Sequence, residues 1–85
     1  MKKLMNIKCR NWEIQISNVY PDGYMSGWLE YVGTIIPGFG SAMSFCVERK
    51  NNGKIVISAD NPEYIPEYLE KKIKAEYVKT YGAKG

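Results

Sequence analysis

The sequence contains no histidine, and this absence excludes several kinds of catalytic and metal site. A Ser-His-Asp triad and a Cys-His pair both use an imidazole as general base, and the common zinc sites use it as a ligand. No other side chain has an unperturbed pKa close to neutrality. We therefore expect a protein that is not an enzyme and that holds neither a metal nor a cofactor.

Long apolar runs are also missing, and cysteine is scarce. No stretch approaches the ~18 apolar residues of a membrane-spanning helix, and the N-terminal segment lacks the apolar core of a secretory signal. The two cysteines, Cys9 and Cys46, would suffice for one disulfide, but free thiols are the commoner state in a reducing compartment. We expect a cytoplasmic protein with free thiols and no membrane partner.

The composition is otherwise that of one folded domain. The 85 residues are 45% hydrophobic and 25% charged, and a chain of this length has enough surface for one core only. The net charge of +3 is uneven, because basic termini flank a more acidic middle. This modest charge does not by itself indicate a nucleic-acid partner.

Alternation of apolar and polar residues predicts an antiparallel sheet over residues 12–58. Residues 1–11 alternate with the opposite parity, so the chain must bulge or break near Arg10 and Asn11, and this segment is a short strand or an arm. Pro21-Asp22-Gly23 predicts a hairpin turn. The strands are predicted at residues 12–17, 24–36 with a bulge at Gly27 or Gly33, 42–49 and around 55–58.

Parity also predicts the loop between the last two strands. Met43, Phe45 and Val47 can share a face with Ile55 and Ile57 only if the loop has an odd number of residues. A three-residue loop over residues 51–53, with its glycine in the left-handed conformation, meets this condition.

The C-terminal part of the chain has helical signals over residues 62–81. Pro66 interrupts them, so we predict a short turn at 62–65 and a main helix at 66–81, closed by Gly82. Apolar residues recur every fourth position and predict the core-facing stripe, which consists of Ile65, Leu69, Ile73 and Tyr77. The predicted fold class is α+β: a small antiparallel meander of three to five strands packed against one C-terminal α-helix.

The strand at residues 24–36 is apolar on both faces, and two arrangements are open. A three-residue loop at 21–23 places Trp28 in the core opposite Ile16, with Leu29 and Tyr31 pointing away. A loop of two or four residues places Trp28 outside. One helix covers only one face, so either the segment Leu4-Met5-Ile7 covers the other face or that face is an apolar patch for a partner.

These patterns favour a non-catalytic protein that binds another protein, with a phage or mobile-element inhibitor of a host defence protein as the specific hypothesis. Inhibition would act by occlusion. The aromatic tip of the loop at residues 37–41 is one predicted anchor. The candidate partner-binding residues are Leu29, Tyr31, Phe39, Tyr64 and Tyr68.

Two alternatives come from other features. Basic residues at both ends of the chain suit a small nucleic-acid-binding module, whose candidate contacts are Lys2, Lys3, Lys8, Arg10, Lys72 and Lys79. An intracellular homodimer that holds a small ligand is the third hypothesis. The strand carboxylates Glu13, Glu30 and Glu48 would form a catalytic pair only if they met across the sheet, and surface charge is the preferred interpretation.

Overall fold

A computed structural model describes residues 5–34, 37 and 40–82. Five antiparallel strands form one sheet in chain order, and one α-helix follows them, which confirms the predicted α+β meander. The elements are β1 (Met5–Cys9), β2 (Trp12–Val19), β3 (Tyr24–Tyr31), β4 (Ala42–Arg49), β5 (Ile55–Ala59), a 3-10 turn (Pro62–Tyr64) and α1 (Glu67–Tyr81).

The N-terminal segment is a strand, joined to β2 by a two-residue turn. Cys9 lies opposite Trp12, and Arg10 takes the left-handed conformation with φ 57°. The break predicted at Arg10 and Asn11 is thus confirmed. The apolar side chains of β1 pack against the main core, so the prediction that Met5 and Ile7 cover the second face is wrong. Leu4, the third residue of that prediction, lies outside the described residues.

The loop between β4 and β5 has the predicted length. Arg49 lies opposite Ile55, and the backbone N–H of Lys50 donates to the carbonyl of Lys54 at 2.8 Å, which leaves residues 51–53 as the loop. Gly53 has φ 86°, a conformation that costs glycine little and other residues more. Parity therefore predicted this hairpin correctly.

The β2–β3 hairpin has the predicted three-residue loop but a different register beyond it. The N–H of Tyr20 donates to the carbonyl of Tyr24 at 2.9 Å, and Val19 lies opposite Met25. The register then shifts between Ile16 and Asn18, so that Ile16 lies opposite Gly27. This β-bulge lies in β2, opposite Gly27. The sequence predicted a bulge at Gly27 or Gly33, but in β3 and not in β2.

The bulge reverses which face of β3 is buried. Trp28 lies opposite Gln15 and is 50% exposed, whereas Leu29 lies opposite Ile14 and is 0% exposed. The prediction that a three-residue loop places Trp28 in the core opposite Ile16 is therefore wrong. The loop length was right, but the extra residue in β2 moves every later side chain to the other face.

The core lies between α1 and one face of the sheet. The predicted stripe on α1 is confirmed, because Leu69, Ile73 and Tyr77 are buried and Ile65 is half-buried against them. Gly82 ends α1 with φ 97°, as predicted. The fully or nearly fully buried apolar residues of the sheet are Trp12, Ile14, Ile16, Met25, Leu29, Met43, Phe45 and Val47.

Cys9 and Cys46 are both free, as predicted. Cys9 is on the core side of β1, and Cys46 is on the opposite face of β4. Since β2 and β3 lie between these strands, at ~4.8 Å per strand, the backbones are ~14 Å apart. A disulfide needs Cα atoms within ~7 Å, so the two residues cannot pair within one chain.

Tyrosine side chains attach the C-terminal end of α1 to the β2–β3 turn. The hydroxyl of Tyr77 donates to the carbonyl of Gly23 at 2.5 Å. The hydroxyl of Tyr81 lies 2.6 Å from the carbonyl oxygen of Tyr20 and 2.9 Å from that of Tyr24, and it can donate to either. These bonds position the helix over the sheet.

We expect this attachment to weaken at alkaline pH. Burial and then the neighbouring Tyr77 raise the pKa of Tyr81 above its ordinary value. The folded state therefore holds this proton more tightly than the unfolded state, and its contribution to stability is lost as the pH rises above about 10. Urea unfolding between pH 8 and pH 11 should show a shallower loss of stability for Tyr81→Phe than for the unmodified chain. Equal slopes would contradict this prediction.

Candidate functional site

The face of the sheet opposite α1 is not covered by any described helix. We call it the open face. On β3 and β4, at its centre, it consists of the residues that alternate with the core positions. α1 lies on the other side, because its buried residues belong to the core cluster. The central open-face residues are Tyr24, Ser26, Trp28 and Glu30 on β3 and Ala42, Ser44, Cys46 and Glu48 on β4.

Trp28 is the exposed large hydrophobic side chain on the described strands of this face. It lies between Gln15 of β2 and Ser44 of β4, in the central strand of the five, and half of its surface is exposed. Hydrophobic side chains this large are usually covered, and tryptophan is enriched at the centres of protein interfaces. The exposed indole at the middle of the sheet is therefore the candidate contact residue of this face.

A shallow groove of about 450 Å³ runs along one side of Trp28. Tyr24 and Trp28 lie at its margins, and small residues such as Ser26 and Cys46 line it between them. Asp60 lies at the rim, where the Oγ of Ser44 donates to its carboxylate at 3.0 Å. Small side chains between two aromatic rings make a recess that a protruding side chain of a partner can enter.

The groove also affects the pKa of Tyr24. The closeness of the Cys46 side chain raises the pKa of Tyr24 above its ordinary value. The phenol is therefore neutral at physiological pH and available to a partner as a hydrogen-bond donor or acceptor. Hydroxyl groups therefore predominate among the polar groups that line the groove, and the Asp60 carboxylate lies at its rim.

A second recess, of about 290 Å³, lies on the other side of Trp28. It is lined by Trp28, Glu30, Gln15 and Ala42. The Nε2 of Gln15 donates to the Oε1 of Glu30 at 3.2 Å, which orients the carboxylate. This recess combines an aromatic wall with an acidic one.

The open face is acidic around Trp28. Glu13 lies directly opposite Glu30 on the neighbouring strand, an arrangement in which like charges destabilise a sheet. Lys8 lies opposite Glu13, but no ion pair joins them. Among the described residues, Glu13, Glu30 and Asp60 have no ion-pair partner.

The carboxylates of the helix are paired, in contrast to those around Trp28. Glu67 pairs with Lys71 at 3.9 Å and Glu70 with Lys74 at 3.2 Å. The buried Glu76 pairs with two lysines of its own helix. The acidic residues without an intramolecular cation are therefore concentrated where the exposed indole lies, with Asp22 and Glu63 elsewhere among the described residues.

The three strand carboxylates named in the sequence analysis do not all meet across the sheet. Glu13 and Glu30 meet, as their positions permitted. Glu48 lies opposite Tyr24, six residues from Glu30 along β3, and so is ~20 Å away. Glu48 is instead paired with Lys50 at 3.0 Å. Within the part of the chain that the structure describes, no group of three or more acidic or cysteine side chains is placed to hold a metal ion.

The predicted partner-binding residues do not form one surface. Leu29 is fully buried, so its selection as a contact residue is wrong, because the bulge turns it into the core. Tyr31 lies on the same core face, half-buried, with its ring 5.0 Å from that of Trp12. The hydroxyl of Tyr64 donates to the carbonyl of Pro37 at 3.3 Å. Phe39 lies outside the described residues.

Tyr68 belongs to another surface, where it meets a residue of the nucleic-acid hypothesis. The guanidinium of Arg10 stacks over its ring at 4.2 Å from the centroid. Lys72 and Lys79 both pair with Glu76, at 3.6 and 3.5 Å, which reduces the charge that they present. Lys8 is on the opposite face of the sheet. Lys2 and Lys3 lie outside the described residues.

Trp28 was not among the predicted contacts, although its exposure was one of two arrangements left open. The deciding feature is the bulge in β2, and the residues there, Ile16, Ser17 and Asn18, are not a distinctive bulge signal. The one local indication was Gly27, since glycine within a strand often marks a bulge or a close approach of another backbone.

Fold and open face together define a small α+β protein whose antiparallel sheet is covered by a helix on one side. No protein-family model, curated protein or solved structure matches this chain. Among residues 5–34, 37 and 40–82, no helix has the length and apolar character needed to cross a membrane.

Proposed function

We propose that this protein is a non-catalytic module that binds another protein through its open face and acts by occluding a site on it. The observation that carries the proposal is the 50% exposure of Trp28 on the central strand. Truncating a tryptophan at the centre of an interface commonly costs ~2 kcal/mol or more. Serine, glutamine and acidic side chains around it provide the polar surroundings typical of interfaces.

The dimensions of the sheet support this proposal. Five strands span ~24 Å at ~4.8 Å each, and eight residues extend ~27 Å at ~3.4 Å each. The open face therefore offers on the order of 600 Å², against ~800 Å² per partner in a standard interface. It is thus large enough to form most of one specific contact.

The more specific part of the proposal is an inhibitor from a phage or mobile element that acts on a host defence protein in the cytoplasm. It is supported by the small size of the chain and by a composition rich in Lys, Asn, Ile and Tyr. The open face adds a mechanism, because a rigid sheet placed over a functional site of the host protein would exclude its substrate.

The test is affinity capture from a low-GC bacterial lysate, with and without nuclease, followed by binding measurements on the captured protein. Trp28→Ala should raise the dissociation constant about thirtyfold, which is equivalent to a loss of ~2 kcal/mol of binding free energy. The matched control is Tyr68→Ala, which removes an aromatic ring on the helix side and should change affinity less than threefold.

Two outcomes would contradict the proposal. If Tyr68→Ala weakens binding and Trp28→Ala does not, the interface lies on the helix side. If nuclease abolishes capture, the nucleic-acid-binding alternative replaces it, with Arg10 and Tyr68 as the first residues to substitute.

A further inference from the structure

We propose that the recess between Trp28 and Glu30 receives an arginine side chain of the partner protein, an inference that rests on the proposed function. The partner surface that docks on the open face is therefore basic at this point. The shape of the recess, its charge and the stacking of this chain's own arginines on aromatic rings support the inference.

The recess has the shape for a flat cation beside an aromatic ring. Trp28 and Glu30 are two residues apart on β3, so their side chains point the same way with ~7 Å between their Cα atoms. Ala42 lies opposite Glu30 on β4 and, being small, keeps the recess open. A guanidinium stacked on the indole, within ~6 Å of the ring centroid, would lie within reach of the carboxylate.

The charge around the recess favours a cation. The side-chain amide of Gln15 donates a hydrogen bond to the Oε1 of Glu30. No described residue donates a hydrogen bond to the Oε2 of that carboxylate. Glu13 faces Glu30 across the strand pair, and Asp60 lies beyond Ser44 on the other side of Trp28. A cation placed between these groups relieves the repulsion that the two opposed glutamates otherwise impose on the sheet.

Two arginines of this chain already make the contact that Trp28 lacks. Arg10 stacks on Tyr68 at 4.2 Å and Arg49 on Tyr77 at 5.4 Å from the ring centroid. No described arginine or lysine stacks on Trp28, although tryptophan is the best aromatic partner for a cation. Arginine fits better than lysine, because its planar guanidinium can stack on the indole and donate to the carboxylate in one geometry.

The experiment is an NMR titration of the ¹⁵N-labelled protein with the peptide acetyl-Gly-Arg-Gly-Arg-Gly-amide. The two indole N–H signals serve as reporter and internal control, since Trp28 is exposed and Trp12 is 2% exposed. We expect saturable shifts of the Trp28 indole and of the Glu30 and Ala42 amides, with little change at Trp12. The peptide in which citrulline replaces arginine keeps the shape but loses the charge, and it should not bind.

Substitutions then locate the site. Glu30→Gln should weaken peptide binding about fivefold, as expected for one exposed ion pair. The matched control is Glu63→Gln, which removes the same charge from the 3-10 turn and should leave binding unchanged. The spectrum of each variant also verifies that the sheet is intact.

Three results would overturn the inference: no shift of the Trp28 indole, equal binding of the citrulline peptide, or equal affinity for the corresponding lysine peptide. None of these results would contradict the proposed function, which is tested separately by whether Trp28→Ala weakens binding to the captured partner. Conversely, the arginine peptide could bind while Trp28→Ala leaves binding to the captured partner unchanged. That result would contradict the proposed function, and only a binding site for a cation would remain.

Discussion

Gly27→Ala is expected to lower the free energy of unfolding by more than about 3 kcal/mol, because the new methyl group has no space. A Cβ at this position would lie 1.8 Å from the carbonyl oxygen of Gln15 and 2.9 Å from the Cα of Ile16. Both are backbone atoms of β2, so the methyl group can be accommodated only if β2 and β3 move apart. Urea unfolding followed by far-UV circular dichroism measures the effect.

The control is Gly33→Ala, at the other glycine where a bulge was predicted. A Cβ there would meet the ring of Tyr31 at 2.7 Å, but that ring is the far end of a side chain and can turn away. We expect this change to cost less than ~1 kcal/mol. Similar losses for Gly27→Ala and Gly33→Ala would show that the close approach of β2 and β3 is not what Gly27 provides.

Leu29→Ala is expected to destabilise the protein by about 3–4 kcal/mol, the loss measured when a fully buried leucine leaves a cavity. Leu29 is 0% exposed and faces the core formed with α1. In a chain of 85 residues this is a large part of a total stability of about 5–10 kcal/mol. Thermal and urea unfolding of the unmodified chain and of Leu29→Ala measure the difference in the free energy of unfolding.

Trp28→Ala is the matched control for Leu29→Ala, since the two residues are neighbours on opposite faces of β3. With half of its side chain exposed, Trp28 should contribute much less to folding than Leu29. The pair therefore separates stability from binding, because Leu29→Ala mainly lowers the free energy of unfolding and Trp28→Ala mainly weakens partner binding. A larger loss of stability for Trp28→Ala would mean that the bulge is absent in solution and that Trp28 occupies the core.

The candidate site could be predicted only in part. The strand carboxylates were recognised, and Glu13 and Glu30 do meet. Leu29 and Tyr31 were placed on the outer face because the parity of β3 was counted from the turn. Tyr68 and Arg10 were assigned to different hypotheses, and their stacking joins residues that are 58 positions apart in the chain. No local pattern reports such a contact.

Local sequence patterns are sufficient to predict the order of the strands, the turns between them and the helix. Period-two alternation predicted where the strands lie, although it extended the third predicted strand to residue 36 and β3 ends at Tyr31. Odd parity required the three-residue loop before β5, and Pro66 and Gly82 set the limits of α1. These are local properties, because each depends on backbone preferences within a few residues.

Which face of β3 is open depends on long-range contacts and could not be predicted from local patterns. The choice depends on one extra residue in β2, and a shift of one residue moves every side chain beyond it to the opposite face. Both faces of β3 are apolar enough to form a core, so the sequence pattern cannot distinguish them. In the folded protein the backbone of β2 approaches Gly27 closely, and Met25 and Leu29 join Ile14 and the buried residues of α1 in the core.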